Sequence, residues 1–245
     1  MAMIFITGSS AGLGRLAAET LVEQGHQVVL HARNEQRAKD AMNKVPGAEE
    51  VLIGDLSHIE ETKQLAADAN GWGRFDVVIH NAGVYRASAE EILKVNTLAP
   101  YLLTCLMHKP KGLIYLSSGM HKHGDPSPEK LTLENAGTSY SDSKLHVVLL
   151  AKGVARRWPQ VYANAVDPGW VPTKMGGSSA PDDLDKGYET QVWLAVSDEE
   201  GAKVSGRYFY HKQEESPHPA AGKAAVQDAF IRRCEQITGV SFPGD

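Results

Sequence analysis

The sequence predicts an α/β fold: a doubly wound parallel sheet of about seven strands, with helices on both faces. Two observations support this prediction. Short, nearly continuous apolar runs recur along the chain, as is typical of strands that are covered on both faces. Segments with helical periodicity alternate with these runs throughout, which indicates right-handed β-α-β units. No linker-like segment and no internal repeat interrupts the 245 residues, so we expect a single domain over residues 1–245.

The strands are predicted from the apolar runs, in chain order. They are MIFIT (3–7), QVVLHA (27–32), EVLIG (50–54), DVVIH (76–80), LIYLSS (113–118), YANAV (162–166) and RYFY (207–210). Most of these runs are continuous rather than alternating between apolar and polar residues. A continuous run favours a strand inside a parallel sheet over a strand with one solvated face.

The helices are predicted from the periodic segments that separate and follow the strands. They are 12–24, 34–44, 58–70, 88–107, 140–157, 183–197 and 222–238. The longest segment without helix or strand signal is 119–139, which glycines and prolines interrupt. Loops of about 20 residues in a compact domain are usually functional or mobile. This one follows a strand, at the edge of the sheet where ligands bind in open α/β folds. We expect it to line a substrate pocket together with 170–188.

The composition excludes several classes of function. The chain has 25 Lys and Arg against 30 Asp and Glu, a net charge of −5, and no basic block, so we expect no nucleic-acid partner. Cys105 and Cys234 lie far apart, without a metal-binding or disulfide spacing, which favours a reducing cytoplasm. No charged segment precedes an apolar stretch at the start, and no apolar run approaches about 20 residues. We therefore expect neither a signal peptide nor a membrane partner.

A glycine-rich turn follows the first strand. In ITGSSAGLGR (6–15), Gly8, Gly12 and Gly14 have the spacing G-x-x-x-G-x-G and precede the first helix. Glycine allows a positive φ and a close approach of the backbone to a ligand. The N-terminus of the helix offers unpaired N–H groups and a favourable dipole for an anion. The turn is therefore a candidate pyrophosphate site, although a glycine-rich turn without a ligand has the same sequence.

The segment YSDSK (140–144) places a tyrosine one helical turn before a lysine. Residues four apart lie on the same face of a helix, so Tyr140 and Lys144 are neighbours. A free phenol has a pKa near 10, and a cation within about 4–6 Å lowers it. Lys144 is therefore expected to lower the pKa of Tyr140. The same pair is common on exposed helices, so its meaning depends on the surrounding motifs.

Six motifs in fixed order supply that context. They are TGSSAGLG (7–14), HNAG (80–83), VN (95–96), SS (117–118), YSDSK (140–144) and DPGWVPT (167–173). Together they resemble the short-chain dehydrogenase/reductase family over essentially the whole chain. The resemblance implies a Rossmann-type fold that binds a nicotinamide dinucleotide.

The resemblance also implies four catalytic residues. Tyr140 would exchange a proton with the substrate oxygen, and Lys144 would also bind the nicotinamide ribose. Ser118 would hold the substrate oxygen, and Ser117 is the alternative candidate for this role. Asn96 matches the residue that anchors a water molecule in the proton relay of the family, although a polar residue inside a helix is the alternative.

Most of the remaining matched positions correspond to cofactor contacts. Asp55 would contact the adenine, Asn81 would stabilise the sheet beside the cofactor, and Pro168 and Gly169 would begin the loop at the nicotinamide end. The full expected set is Gly8, Ser10, Gly12, Leu13, Gly14, Arg33, Asp55, Leu56, Asn81, Ala82, Gly83, Tyr140, Lys144, Pro168, Gly169, Val171 and Thr173.

The end of the second strand indicates NADP(H) as the cofactor. NAD enzymes of this architecture usually place an acid there, which accepts hydrogen bonds from the adenosine ribose. Here the strand ends His31-Ala32-Arg33, with no acid and with a guanidinium that suits a 2′-phosphate. Arg37 and Arg15 could assist, although Arg15 could equally be a solvated helix residue. The alternative is that Arg33 is only a surface charge at the start of the next helix.

Other features depart from the common form of the family. His80 replaces the usual asparagine of the NNAG motif, and we interpret it as structural. His121 and His123 are expected to be solvated, with no metal site. Trp170 is either a pocket residue or a surface residue. The insertion before Tyr140 and the ending GRYFYHKQEESPHPAA resemble the carbonyl reductase, retinol dehydrogenase and WW-domain oxidoreductase-like branch.

We therefore expect an NADP(H)-dependent oxidoreductase that transfers a hydride between the nicotinamide and a carbonyl or secondary alcohol of a small organic substrate. The substrate itself cannot be identified from the sequence. The alternatives are a non-catalytic dinucleotide-binding redox sensor on the same fold, and a lyase or isomerase with the same four residues. The helix after Asn96 ends early, at HKPKG (108–112), and this helix contributes to the dimer interface of many family members. We therefore expect a monomer or a weak dimer.

Overall fold

The computed structural model of the chain describes residues 1–134 and 137–244. Its strands are β1 (Met3–Ile6), β2 (Gln27–Ala32), β3 (Glu50–Ile53), β4 (Val77–His80), β5 (Gly112–Leu116), β6 (Tyr162–Asp167), β7 (Tyr208–Tyr210) and β8 (Gln213–Glu214). They form one sheet in the order β3-β2-β1-β4-β5-β6-β7-β8. The pairs from β3 to β7 are parallel, and β8 runs antiparallel to β7. The parallel sheet and its seven predicted strands are confirmed.

The eighth strand was not predicted. It follows a two-residue turn in which His211 and Lys212 both have a positive φ, of 47° and 63°. Two such residues form the turn that matches the twist of a β-hairpin. β8 itself is short and exposed, so it contributes no apolar run to the sequence.

The helices lie close to their predicted positions. They are α1 (Gly12–Glu23), α2 (Glu35–Lys44), α3 (Ile59–Gly71), α4 (Ala89–Leu93), α5 (Ala99–Leu106), α6 (Tyr140–Arg157), α7 (Leu184–Val196) and α8 (Ala224–Thr238). The predicted helix 88–107 is divided, because a π-helical segment at Lys94–Leu98 joins α4 to α5. Such segments are rare and occur frequently at functional sites. This one contains Asn96.

The apolar core has one layer on each face of the sheet, as the continuous apolar strands predicted. Along β1, Phe5 faces one layer, whereas Ile4 and Ile6 face the other. All three side chains are fully buried. Burying a side chain of this size contributes about 1.5–3 kcal/mol relative to leaving it exposed. The helices therefore cover both faces and leave the ends of the strands as the place for a site.

The segment 119–139 is more regular than expected. It contains two short 3-10 helices, Gly119–His123 and Pro128–Lys130, and its positions 135 and 136 fall outside the described residues. A capping box then begins α6: the Ser139 hydroxyl accepts a hydrogen bond from Asp142 N (3.1 Å), and Asp142 accepts one from Ser139 N (2.9 Å). Asp142 also accepts a hydrogen bond from Asp125 N (2.7 Å). The cap therefore fixes Tyr140 in the first turn of α6 and ties the segment to it.

The chain after α8 packs on α5 and α6. The Tyr101 hydroxyl donates to Val240 O (2.7 Å), and the ring of Phe242 lies 4.9 Å from that of Trp158.

No helix in residues 1–134 and 137–244 is long and apolar enough to cross a membrane. The expected monomer or weak dimer stays a prediction.

Candidate active site

A cavity of about 610 Å³ opens at the carboxyl edge of the sheet, where the strand order reverses between β1 and β4. Most of the expected cofactor residues line it. They are Gly8, Ser10, Gly12, Leu13, Arg33, Asp55, Leu56, Asn81, Ala82, Gly83, Tyr140, Lys144, Pro168 and Thr173. Gly14, Gly169 and Val171 do not line it. Gly14 packs instead against Asn81, and Val171 is buried against Gly187 at the start of α7.

The glycine-rich turn lies directly against the turn that follows β4. Gly8 has a φ of 66°, and a methyl group on its Cα would lie 2.8 Å from Cα of Ala82. The amide of Asn81 donates to Thr7 O (3.0 Å), and Ala82 N donates to the Thr7 hydroxyl (3.1 Å). The two turns therefore form one unit at the floor of the cavity. Asn81 has the sheet-stabilising contacts that the resemblance implied.

His80, the departure from the NNAG motif, lies inside the core. Its ring stacks on Tyr115 at 4.7 Å and is within 3.4 Å of the Thr104 hydroxyl. Burial lowers the pKa of His80 to about 3, so the imidazole is neutral. These contacts agree with a structural role.

His31 lines the cavity, and sequence reasoning did not select it. Its Nδ1 accepts a hydrogen bond from Gly8 N (2.9 Å), so the ring proton is on Nε2, which donates to Gly54 O (2.9 Å). Burial lowers the pKa of His31 to about 4, and the ring is neutral. The signal in the sequence was a polar residue inside an otherwise apolar strand. His31 holds the glycine-rich turn to the end of β2.

Two arginines lie at the outer end of the cavity. Arg33 is exposed and Arg37 is half-buried, and both line the wall. Neither forms an ion pair with any residue in the described ranges. Arg15, by contrast, pairs with Glu19 on α1 and does not line the cavity; its suggested assistance in cofactor binding stays a prediction.

Asp55 lies near Arg33. Burial opposes its ionisation, but hydrogen bonds from Ser57 and the charges of His58 and Arg33 bring the pKa of Asp55 below its ordinary value. Its carboxylate accepts bonds from both the backbone N–H (2.9 Å) and the hydroxyl (2.7 Å) of Ser57. The acid is therefore held by its own loop.

Tyr140 and Lys144 meet at the inner end of the cavity, as their spacing predicted. The Lys144 Nζ lies 5.4 Å from the centre of the Tyr140 ring and donates to Leu116 O (2.8 Å). Burial lowers the pKa of Lys144 to about 8, against a smaller opposing effect of Asp167. Lys144 is therefore cationic at neutral pH and loses its charge as the pH rises through about 8.

The effect on Tyr140 differs from the expected one. Burial raises the pKa of Tyr140 to about 12, and the charge of Asp167 adds to the rise. A hydrogen bond from the hydroxyl of Ser118 opposes it without reversing it. The pKa of Tyr140 is therefore raised in this structure and not lowered as expected, because desolvation of the phenolate and the charge of Asp167 outweigh the hydrogen bond from Ser118.

The two serines after β5 have different partners. Ser117 borders the cavity, but its buried hydroxyl donates to Lys144 O (2.9 Å). Ser118 is half-buried, its hydroxyl accepts a bond from Met120 N (3.3 Å), and it lies beside the Tyr140 hydroxyl. Ser118 is thus the serine whose hydroxyl adjoins the tyrosine, as the family pattern implied.

Asn96 is buried and uses its whole amide within the protein. Its Oδ1 accepts from Val84 N (2.8 Å), and its Nδ2 donates to Val84 O (2.9 Å) and to the Ser143 hydroxyl (3.0 Å). A methyl group on Gly83 would lie 3.4 Å from the Asn96 Oδ1 and 3.3 Å from the Lys144 Nζ. Asn96 therefore shapes the loop after β4 beside Lys144. Its expected role in holding a water molecule stays a prediction.

His121 is not solvated, contrary to expectation. It is fully buried, its Nε2 accepts from His218 N (3.1 Å), and its Nδ1 therefore donates to Ser118 O (2.7 Å). Burial lowers the pKa of His121 below its ordinary value. His123 is exposed, as expected. His121 thus supports the backbone of Ser118 from the core side.

Asp167 is a second residue that sequence reasoning did not select, although it lies in the DPG motif. Its carboxylate is buried and accepts bonds from Gly169 N (2.9 Å) and from the Tyr208 hydroxyl (3.1 Å). A methyl group on Gly119 would lie 3.1 Å from its Oδ2. Asp167 therefore places a negative charge directly behind the loop that carries Ser118.

Comparison with known proteins gives relatives over the whole chain. Residues 2–118 match the family model for short chain dehydrogenases. An uncharacterized oxidoreductase of Emericella nidulans is 48% identical over the full length of both chains. A short-chain dehydrogenase of Gibberella zeae is 41% identical over 99% of each chain. Retinol dehydrogenase 14 of Homo sapiens is 29% identical over 97% of this chain and 86% of its own.

Solved structures share the fold. A crystal structure of an uncharacterized protein from Mycobacterium paratuberculosis aligns with a TM-score of 0.81 at 24% identity, over 99% of this chain and 95% of that one. A short chain dehydrogenase from Shigella flexneri, complexed with NADP, aligns with a TM-score of 0.67 at 23% identity, over 86% of this chain and 97% of its own.

The contact between the two turns can be tested with a pair of glycine variants. Gly8 and Gly12 both have a positive φ, but only Gly8 has a neighbour within 4 Å of an added methyl group. Gly12→Ala should cost about 1–2 kcal/mol of unfolding free energy from backbone strain alone. Gly8→Ala should cost about 1–3 kcal/mol more, because backbone atoms of Ala82 must also move. Urea unfolding midpoints measure both, and equal midpoints would show that the close approach does not constrain the turn.

Proposed function

The chain belongs to the short-chain dehydrogenase/reductase family, and on that premise we propose that it is an NADP(H)-dependent reductase of carbonyl compounds. The membership makes it an oxidoreductase. The observation that carries the finer proposal is the arrangement of the cavity: Tyr140 and Lys144 at its inner end, and Arg33 at its outer end. The substrate is a small organic aldehyde or ketone, or the corresponding alcohol.

The residues present fit a nicotinamide dinucleotide. The volume of about 610 Å³ lies within the range of ligand pockets. The wall at Gly8 and Gly83 has no side chains, and the N-terminus of α1 faces the same space. When bound, the nicotinamide supplies the hydride to the substrate carbon.

The charges at the outer end support NADP(H) rather than NAD(H). The end of β2 carries no acid that would accept hydrogen bonds from both ribose hydroxyls. Among the residues that the structure describes, none forms an ion pair with Arg33 or Arg37, whereas the nearby Asp55 is held by Ser57. A 2′-phosphate forms charge-assisted bonds with a guanidinium. The NADP complex of the Shigella flexneri protein agrees with this choice.

The state of Tyr140 suits a proton donor. Its pKa of about 12 means that the phenol is protonated at neutral pH and can give a proton to a substrate oxygen. The Tyr140 hydroxyl would give its proton to the carbonyl oxygen as the carbon is reduced. Ser118 would hold that oxygen through its hydroxyl, and the cationic Lys144 would stabilise the phenolate that forms.

Replacement of Tyr140 tests the reaction. Tyr140→Phe should lower kcat for NADPH-dependent reduction of aldehydes and ketones by at least about 100-fold, because the proton donor is lost. NADPH binding, measured by nicotinamide fluorescence, should stay nearly intact because the ring remains. Tyr162→Phe, a surface tyrosine at the start of β6, is the matched control. Turnover within tenfold of the wild type would contradict the role. Binding of NADPH without turnover of any carbonyl in the wild type would instead favour the redox sensor.

Arg33 tests the choice of cofactor. The wild type should prefer NADPH over NADH by about 100-fold in kcat/KM, since a charged hydrogen bond contributes roughly 1.5–3 kcal/mol. Arg33→Ala should remove most of this preference through the KM for NADPH. Arg15→Ala removes an arginine that is paired with Glu19 and should keep the preference. Equal use of both cofactors by the wild type would refute the assignment.

Asp167 tests the electrostatics of Tyr140. Its charge raises the pKa of the phenol, so Asp167→Asn should lower that pKa. The phenolate would then form at lower pH, and alcohol oxidation at a fixed pH below 10 should become several-fold faster. Tyr208→Phe removes a hydrogen bond from the same carboxylate but not its charge. Tyr208→Phe should therefore leave the midpoint of the pH profile for alcohol oxidation unchanged. A uniform loss of rate in Asp167→Asn, without a shift of the pH profile, would indicate a purely structural role.

A further inference from the structure

Exposed apolar side chains are concentrated around the mouth of the cavity. In the described part of the chain, the large apolar side chains that are exposed are Met1, Tyr85, Met120, Tyr162, Trp170 and Met175. Met1 is the chain terminus, and Tyr162 begins β6 at the opposite edge of the sheet. The other four all lie at the carboxyl edge. Their exposed fractions are 40% for Tyr85 and Met120, 57% for Trp170 and 47% for Met175.

These four residues come from three adjacent loops. Tyr85 follows β4, Met120 follows β5, and Trp170 and Met175 follow β6. The strands β4, β5 and β6 are neighbours in the sheet and run parallel. The loops at their carboxyl ends therefore lie side by side, and we call the four exposed side chains on these loops the rim.

The rim is continuous with the reacting groups. The ring of Tyr85 packs edge-on against that of Tyr140, with the ring centres 4.8 Å apart. Met120 N donates to the hydroxyl of Ser118 (3.3 Å). Tyr85 and Met175 line the same cavity as Tyr140 and Lys144. A molecule whose carbonyl reached Tyr140 would extend outward over the rim.

Trp170 is exposed but held in one orientation. Its indole N–H donates to Gly176 O (2.8 Å), and its backbone N–H donates to the Asp182 carboxylate (2.6 Å). A side chain at Gly176 would overlap Val171 O, so the loop has no room for another residue there. An aromatic ring that is fixed before binding loses little conformational entropy when a ligand covers it. More than half of this side chain faces solvent, which leaves it accessible to a ligand.

The chemistry of the rim indicates a flat partner. Aromatic rings pair with other rings in offset or edge-to-face geometry, which contributes about 0.5–1.5 kcal/mol beyond the area that they bury. Methionine adapts to the shape of a ligand and makes favourable contacts between its sulfur and aromatic rings. Tyr85 and Trp170 supply the rings, and Met120 and Met175 supply the thioethers.

We propose that the rim of Tyr85, Met120, Trp170 and Met175 selects carbonyl compounds that carry a flat aromatic group, with the ring on the rim and the carbonyl at Tyr140. This inference rests on the proposed function, since it names the substrate class of the same site. The aromatic group need not enter the cavity, so fused rings are accepted as well as single ones.

A matched set of ketones tests the rim. In 4-(2-naphthyl)-2-butanone and 4-(2-decalinyl)-2-butanone the same unconjugated carbonyl carries a flat or a puckered pair of fused rings with ten carbons, and 2-butanone carries none. With NADPH, kcat/KM should be at least about tenfold higher for the naphthyl compound than for the decalinyl compound, chiefly through KM. Trp170→Ala and Met175→Ala, as independent variants, should each reduce the kcat/KM ratio of the naphthyl compound to 2-butanone by about five- to tenfold. Tyr162→Ala, which removes an equally exposed aromatic residue at the other edge, should leave that ratio unchanged.

A binding measurement separates failure of the rim from failure of the proposed function. Calorimetry of the naphthyl ketone with NADP⁺ present needs no turnover, and Trp170→Ala should weaken the Kd by about tenfold. Two results would contradict the proposed role of the rim without contradicting the reductase activity. One is an equal kcat/KM for the flat and the puckered ring, and the other is an unchanged ratio of kcat/KM between the naphthyl compound and 2-butanone in both variants. If no ketone is reduced with either cofactor, the proposed function fails. Calorimetry then still tests the role of the rim, because no binding of the naphthyl ketone by the wild type, or unaltered binding by Trp170→Ala, overturns it.

Discussion

The turns that follow β1 and β4 touch, and the site is built on that contact. A parallel sheet brings these two strands to the same edge but sends their helices to opposite faces, which leaves a crevice between them. Gly8 lets its turn approach Ala82 so closely that no other residue fits, and the amide of Asn81 bonds the end of β1. The floor of the cavity is therefore backbone, fixed by hydrogen bonds that belong to the sheet itself. Side chains around it can differ without altering where a ligand's phosphates would lie.

Burial has opposite effects on the two groups at the inner end of this cavity. It lowers the pKa of Lys144 to about 8 and raises the pKa of Tyr140 to about 12, because each loses solvation of its charged form. The charge of Asp167 opposes the first shift and adds to the second. At neutral pH the pair is therefore a cation beside a neutral phenol, the state required of a proton donor. The lysine need not lower the pKa of the phenol in advance. It is placed to stabilise the phenolate that proton donation leaves behind.

The sequence predicted those features of the fold that depend on local patterns. Continuous apolar runs located seven strands, and the Tyr140–Lys144 spacing predicted that these two side chains are neighbours. Features that depend on tertiary packing were not predictable in this way. His121 has the sequence context of a solvated loop, yet its partner His218 lies 97 residues away. The π-helical segment around Asn96 has no apolar signature of its own. The direction of the Tyr140 pKa shift was missed for the same reason, because helical spacing gives the distance to a cation but not the loss of solvent.

The loop after β6 connects the cofactor cavity to the rim. Thr173 and Lys174 line the cavity, whereas Trp170, a few residues earlier in the same loop, lies in the rim. The two parts are held together by short-range bonds, in which Gly176 N donates to the Thr173 hydroxyl (3.2 Å) and the indole of Trp170 donates to Gly176 O (2.8 Å). The hydrogen bonds that shape the cavity wall at Thr173 therefore also hold the indole of Trp170 in its orientation before any ligand binds. A ring that is held in this way loses little conformational entropy when an aromatic substrate covers it.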